Sequence, residues 1–247
     1  MIAPPRWMVR SPVTERWVAS VLKRYARTFR PRWNVERRFG CSLLIDAEDT
    51  VGRGMLTRGL WEFRQIEMME RLASELGASG DAVFLDIGSY WGLYALYFEQ
   101  TGLFAEVHAV EASPRNAVVL DANLRMNDLH SAINVHRIAA SDRDGEILLQ
   151  ENAGITTVGG TSGVPVAARR LDDVFDFRDR LLVIKIDVEG HELAVLDGMT
   201  ELLASNRVVL QIEAFADTKP EVFARMDAAG MKEAGKVHPD DYFFVTA

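Results

Sequence analysis

The sequence predicts an α/β fold, a mostly parallel sheet with helices on both faces. Two observations predict it. From about residue 82 onward, short apolar runs alternate with stretches of helical periodicity. Runs such as "LLVIKI" are apolar at consecutive positions, as strands in the middle of a covered sheet are. The size agrees: 247 residues, 48% of them hydrophobic, suit one globular domain, or one domain with an extension.

Taken in order, residues 1–60 read as an N-terminal extension of helix and hairpin, and residues 61–247 as the main domain. Pro4, Pro5, Pro12 and Pro31 punctuate the leader. Within it, "TERWVASVLKRYARTF" places Trp17, Val18, Val21, Leu22 and Tyr25 at helical spacing. Residues 35–60 read as a hairpin, "CSLLIDAED" followed by the glycine-containing "VGRGMLTRGL". A helix follows over 61–76, with Phe63, Ile66, Met69, Leu72 and Ala73 on one face.

Five core strands then alternate with helices: "AVFLDIG", "AEVHAVEAS", "AINVHRIAAS", "RLLVIKIDV" and "RVVLQIEAF". Ser113 is the expected N-cap of the helix after the second, with Pro114 in its first turn. "GEILLQEN" and "GVPVAARRL" read as an antiparallel pair around the loop 153–163, which is either a mobile lid or a plain hairpin tip. "DYFFVTA" makes a terminal strand.

Charge is unevenly spread. The first forty residues carry ten Arg or Lys against Glu15 and Glu36, although the whole chain has a net charge of −8. An acidic body argues against a general nucleic-acid binder. The basic leader reads as a helix docked on the domain, or as a peripheral contact with an anionic membrane or a partner. No apolar run approaches the roughly 20 residues that span a bilayer. Cys41 is the only cysteine, so no internal disulfide forms, and the expected location is cytoplasmic, with or without membrane association.

Ligands of doubly wound sheets bind beyond the carboxyl ends of the strands. The first such end is "DIGSYWG": Asp86, Gly88, Ser89, Tyr90 and Gly92. Glycines there admit a close ligand, and the following helix offers free N–H groups. The dinucleotide pattern G-x-G-x-x-G is absent, and the acid precedes the glycines. That order suits a ligand carrying an ammonium group. The second strand ends at Glu111 and Ala112, with Glu111 nineteen residues past Gly92. Such an acid accepts both hydroxyls of an unphosphorylated ribose, or else caps the next helix. Ser141 and Asp142, with Ala139 and Ala140, suit the edge of an adenine pocket; Asp142 could instead make the turn with Gly145.

These residues resemble the FkbM-type methyltransferases, which use S-adenosylmethionine. The match runs from about Gly59 to Phe215 and takes in "GLWE", "DIGSYWG", "VEASPRN", "AASDRDGE", "KIDVEGHELAVLDGM" and "LQIEAF". The resemblance implies a Rossmann-like, doubly wound, mostly parallel seven-strand sheet of the class I methyltransferase type. It also implies O-methylation of a hydroxyl on a sugar, glycolipid, polyketide or similar small molecule. Two features depart from it: Tyr90 is bulkier than the Asn or Gly expected at that turn, and the basic leader lies outside the match.

Methyl transfer to an alcohol needs a group that takes or stabilises the hydroxyl proton. The fourth strand delivers Lys185, Asp187 and Glu189 to one face, and His191 and Glu192 begin the next helix. Glu213 ends the fifth strand, so Asp187 and Glu213 are expected to face each other. That pair could hold a divalent cation such as magnesium, or act without metal with a carboxylate or His191 as base. A structural reading pairs Lys185 with Asp187 or Glu213, pairs Glu189 with Arg169 or Arg170, and leaves Glu192 as a cap. The catalytic candidates are therefore Asp187, Glu213, His191 and Glu189. Two other readings compete: a non-catalytic adenosine-ligand binder docked through its leader, and a nicotinamide-dependent dehydrogenase, which the missing glycine fingerprint disfavours.

Overall fold

A computed structural model describes residues 31–58, 62–152, 155–158 and 162–246. The leader helix expected around residues 14–29, the "GLW" of the family match and parts of the 153–163 loop lie outside them. No helix among the described residues is long and apolar enough to cross a membrane.

The chain opens with an antiparallel hairpin, β1 (Trp33–Arg38) and β2 (Cys41–Asp46). The next segment is not its continuation but a helix, α1 (Thr50–Arg58). Asp49 starts it: Oδ1 accepts the Val51 and Gly52 N–H groups at 2.8 and 3.0 Å, so a capped first turn outweighs the two helical glycines. After α2 (Phe63–Glu75) come β3 (Ala82–Ile87), α3 (Leu93–Glu99), β4 (Phe104–Val110), α4 (Pro114–Met126) and β5 (Ile133–His136). The expected third strand breaks here, its end becoming a separate short strand, β6 (Ala139–Ala140). β7 (Gly145–Asn152), β8 (Ile155–Val158) and β9 (Val164–Arg169) follow, then α5 (Leu171–Val174) and β10 (Leu181–Ile186). The chain ends with α6 (Glu192–Asp197), α7 (Thr200–Ala204), β11 (Arg207–Glu213), α8 (Lys219–Ala228), β12 (Met231–Lys236) and β13 (Asp241–Thr246).

Seven strands form the main sheet in the order β12-β13-β11-β10-β3-β4-β5. The five from β11 to β5 are parallel, while β13 runs antiparallel to both β11 and β12. This is the doubly wound, Rossmann-like class I sheet. Strand order reverses between β3 and β10, so the crevice for a ligand opens at the carboxyl ends of those two strands. A smaller sheet, β6-β9-β7-β8, flanks that edge. Its β8 lies within the loop expected to be a lid or a hairpin tip.

Each face has its own core. Ile66, Met69 and Leu72 of α2, Phe98 of α3 and Leu120 of α4 cover one face. Val195, Leu202 and Val222 of α6, α7 and α8 cover the other. From the segment before the main domain, Cys41, Leu43, Ile45, Met55 and Leu56 join the first core. Two asparagines of α4 clamp the hairpin. Asn123 Oδ1 accepts the Leu44 N–H at 2.6 Å, and Asn127 exchanges two 2.8 Å bonds with the backbone of Ser42.

Candidate active site

A cavity of about 990 Å³, counting the space open at its mouth, sits over the carboxyl ends of β3, β4 and β10. Of the residues expected in a site, Gly88, Ser89, Tyr90, Glu111, Ala112, Asp187, Glu189 and His191 line it.

The β3–β4 side is built from backbone and hydrogen bonds. Gly88 has φ of 77°, and a Cβ there would overlap the carbonyl oxygen of Asp187. Its first task is thus to let the chain after β10 cross the end of β3. Tyr90 also takes the left-handed conformation, with φ of 54°. An Asn or Gly is expected at this turn because an aromatic side chain adopts that conformation only at a cost. The return is an amide aimed at Glu111: Tyr90 N–H donates to Oε2 at 2.7 Å, and Ser113 N–H to Oε1 at 2.8 Å. Asn116 Nδ2 adds a 3.5 Å contact to Oε1. Burial pushes the Glu111 carboxyl up to about 7, although these donors pull it down. Each of its oxygens retains acceptor capacity for a ligand hydroxyl.

The Tyr90 ring stacks on Trp91 at 4.6 Å. Burial beside the Asp49 carboxylate pushes its phenol well up. That hydroxyl and the buried Ser89 Oγ, both on cavity-lining residues, make no hydrogen bond of good geometry among the described residues. Ile138, Ala139, Ala140 and Leu149 complete this side as an apolar slot.

Five expected site residues are off this lining: Asp86, Gly92, Ser141 and Asp142, and Glu213 on the β10–β11 side. Asp86 lies under the floor, not on the lining: Oδ2 accepts the Ala95 N–H at 3.1 Å, and Oδ1 is 3.9 Å from Lys185 Nζ. The protein's own ammonium, not a ligand's, is therefore its cationic neighbour. Gly92 caps α3 with φ of 84°, the left-handed region that favours glycine, and a Cβ there would also meet the Leu120 side chain. Ser141 and Asp142 stand behind His191. Ser141 Oγ donates to Asp142 Oδ1 at 3.1 Å and lies 3.0 Å from His191 Nε2. With its only proton given to Asp142, Ser141 accepts from His191, which leaves His191 Nδ1 as an acceptor. Burial holds His191 below the usual imidazole range, and hence neutral near pH 7.

The β10–β11 side is built from charge. Lys185, buried mid-strand, has Asp86 and Gln211 as register partners. Its Nζ sits 3.1 Å from Asp187 Oδ2 and 5.0 Å from the centre of the Tyr94 ring. Burial disfavours its charge, but Asp187, Asp86 and Glu62 outweigh this and hold the ammonium well above its usual range. Asp187 is thus an ion-pair partner that also faces the cavity.

Glu213 follows Ile212, which pairs with Ile186, so it lies beside Asp187 as expected, but it is outside the cavity lining. Burial, then Asp187, Asp241 and Glu189, push its carboxyl up to about 8. Glu189, at the cavity mouth with φ of 52°, is raised by partial burial and by Asp187 and Glu192. It pairs with neither arginine considered for it: Arg169 meets Asp144 at 3.0 Å and Arg170 meets Asp172 at 3.2 Å. Glu192 closes its own turn, accepting the Gly190 N–H at 3.0 Å.

Sequence reasoning missed Glu62 and Tyr94. Both line the cavity, and the Tyr94 phenol bonds to Glu62. Burial, Asp187 and Asp241 push the Glu62 carboxyl up to about 7 against the pull of Lys185. Glu62 ends the "GLWE" of the family resemblance, which was the available signal. Among the described residues, no three His, Cys, Asp or Glu form a group that could hold a metal ion. Among the described residues the Asp187–Glu213 pair thus has no third side chain of these types placed to join it, and Asp187 is paired with Lys185 at 3.1 Å.

The comparisons with known proteins agree with this architecture. The chain is 27% identical over 197 residues to the hexuronic acid methyltransferase AglP of Haloferax volcanii, covering 75% of this chain and 80% of that protein. It is 27% identical over 207 residues to the methyltransferase sdnD of Sordaria araneosa, covering 66% of this chain and 80% of that one. Among solved structures, an FkbM methyltransferase from Methylobacillus flagellatus superposes with a TM-score of 0.51 at 21% identity, over 68% of this chain and 44% of that one. The N-terminal domain of human METTL16, solved with S-adenosylhomocysteine, gives 0.51 at 14% identity over 93% and 81% of the two chains; at this identity the likeness is one of fold. The family model "Methyltransferase FkbM domain" matches residues 80–236, and the chain belongs to that family.

Proposed function

We propose that the protein transfers the methyl group of S-adenosylmethionine to a hydroxyl of a small polyhydroxylated acceptor, such as a sugar. The observation that carries this reading is the placement of Glu111 and Asp187 on opposite sides of one cavity at the switch point of the sheet. The lining fits the cofactor. Glu111 is placed to accept two ribose hydroxyls, and the slot of Ile138, Ala139 and Ala140 suits a flat base. Ser89 Oγ, which has no hydrogen-bond partner among the described residues, offers a polar contact for the amino-acid end. When bound, the cofactor supplies an electrophilic methyl on a positively charged sulfur.

Asp187 accepts the hydroxyl hydrogen of the acceptor and aims its oxygen, while Lys185 fixes the carboxylate at 3.1 Å. In the transfer, Asp187 would take up the proton that the acceptor hydroxyl gives up on methylation. His191 Nδ1 and Glu189 at the mouth are placed to hold neighbouring hydroxyls. The carboxylates around Lys185 favour a cationic donor and disfavour an acceptor bearing negative charge at its reacting end. The relationship to a hexuronic acid methyltransferase supports a sugar acceptor.

The test is incubation with methyl-labelled S-adenosylmethionine and a panel of glycosides, followed by NMR of the product. A methyl ether is expected. A methyl group on nitrogen or carbon, or label transferred only to RNA, overturns the reading.

A further inference from the structure

The edge of the sheet that carries the carboxylates has a second polar cluster on its other face. Asp241 and Tyr242 are consecutive in β13, so their side chains point to opposite faces. Asp241 accepts a bond from Gln65 on the carboxylate side, while Tyr242 packs against Phe223 of α8 at 5.1 Å. The Tyr242 phenol oxygen accepts hydrogen bonds from two ammonium groups, Lys219 Nζ at 2.9 Å and Lys236 Nζ at 2.7 Å. Both also lie over its ring, at 4.6 and 4.5 Å from the centroid. The two lysines, Lys219 first, pull the phenol below its usual range.

Two like charges converging on one neutral oxygen repel each other, and a carboxylate is the usual remedy. The chain has 36 acids against 28 bases, yet among the described residues neither lysine forms an ion pair. Lys236 is exposed and Lys219 is half-buried, so both can be reached from solvent. Their location connects them to the active site. Tyr242 pairs with Ile212, one residue before Glu213; Lys236 is the last residue of β12, and Lys219 begins α8, six residues past Glu213. Along this edge, carboxylates stand on one face of the sheet and, on the other, two ammonium groups that form no ion pair among the described residues.

We propose that Lys219, Lys236 and Tyr242 form a subsite for a phosphate or carboxylate group carried by the acceptor. The acceptor would then be an anionic, hydroxylated small molecule, oriented with its anionic group across the sheet edge and its neutral hydroxyl among the carboxylates. A charged pair of this kind suits a tetrahedral or planar oxyanion, since each ammonium donates up to three hydrogen bonds. The assignment of this anion to the acceptor rests on the methyltransferase reading above.

The test uses protein carrying ¹³Cζ-tyrosine, with the Tyr242 signal assigned through Tyr242→Phe. Inorganic phosphate is titrated at constant ionic strength, against chloride as the control. A saturable movement of the Tyr242 signal is expected, together with a rise of its phenol pKa toward the ordinary value. Lys219→Gln combined with Lys236→Gln should abolish the response and still bind S-adenosylhomocysteine as the unmodified protein does. A hexose phosphate or a hexuronate, but not the neutral hexose, should reproduce it. No response beyond chloride, or an equal response in the double variant, overturns the proposal. A response to phosphatidylglycerol vesicles with none to the soluble sugars overturns the acceptor assignment. Failure to bind S-adenosylhomocysteine would strike the methyltransferase reading alone, because the phosphate titration is run without cofactor.

Discussion

Glu111 and Glu213 are carboxyls at the ends of parallel strands, and burial raises both, to about 7 and about 8. Two backbone N–H groups and Asn116 hold Glu111. Among the described residues, no side-chain hydrogen bond reaches Glu213, and Asp187, Asp241 and Glu189 raise its carboxyl further. The β3–β4 half of the cleft is thus fixed by directed bonds and close backbone packing. The β10–β11 half is fixed by one lysine surrounded by acids. A geometry held by bonds suits a part of the ligand that never changes, such as a cofactor. A geometry held by balanced charge responds to whatever charge enters, as recognition and proton transfer require.

The largest effect expected from breaking this contrast is on the charged half. Asp187→Asn should lower methyl transfer by ~10²–10⁴-fold, the range for loss of a positioned proton acceptor. Affinity for S-adenosylhomocysteine should stay within about threefold; turnover of labelled cofactor and calorimetry read the two. Next comes Lys185→Met, which leaves Asp86, Asp187 and Glu62 without their shared cation. It should cost ~3–5 kcal/mol, or about 10 °C in Tm, measured by thermal unfolding near pH 8. An unchanged Tm would mean that the acids do not need the lysine.

The smallest effect concerns Glu213. A carboxyl raised to about 8 in the fold binds more protons folded than unfolded. Its stabilising contribution is complete below the unfolded value of about 4.3, and is lost as pH rises through the folded value. Glu213→Gln removes that loss. The variant should gain on the unmodified protein by ~2–4 °C between about pH 5 and about pH 8.5, solvent screening keeping the gain small. No gain with pH would show that the crowding of acids around Glu213 is not felt.

How much of this was legible in the sequence depends on what each residue's neighbours are. β3, β10 and β11 were legible because a strand covered on both faces is apolar at nearly every position, and β4 and β5 because they alternate with clear helices. β12, "MKEAGK", was not, because an exposed edge strand shows neither an apolar run nor clean alternation. The same holds for α1, where glycines suggested a turn and the Asp49 cap decided otherwise. In the site, Glu111 and Asp187 could be placed from their strand ends alone. Asp86 and Gly92 stood in the right motif, but the contacts that occupy them, Lys185 and Leu120, lie far along the chain. Glu62 was hidden for a related reason: it precedes the sheet by a whole helix and enters the cleft only through the packing of α2.

The central claim is that Glu111 holds the ribose of S-adenosylmethionine, and calorimetric titration with S-adenosylhomocysteine tests it most directly. The unmodified protein should bind in the micromolar range at pH 8 and progressively more weakly below about pH 7, as the Glu111 carboxyl takes up its proton. Glu111→Gln should bind ~10–100-fold more weakly and lose most of that pH dependence, as expected when two charge-assisted hydrogen bonds are replaced. Absence of binding by the unmodified protein, or equal affinity in the variant at every pH, would contradict the account.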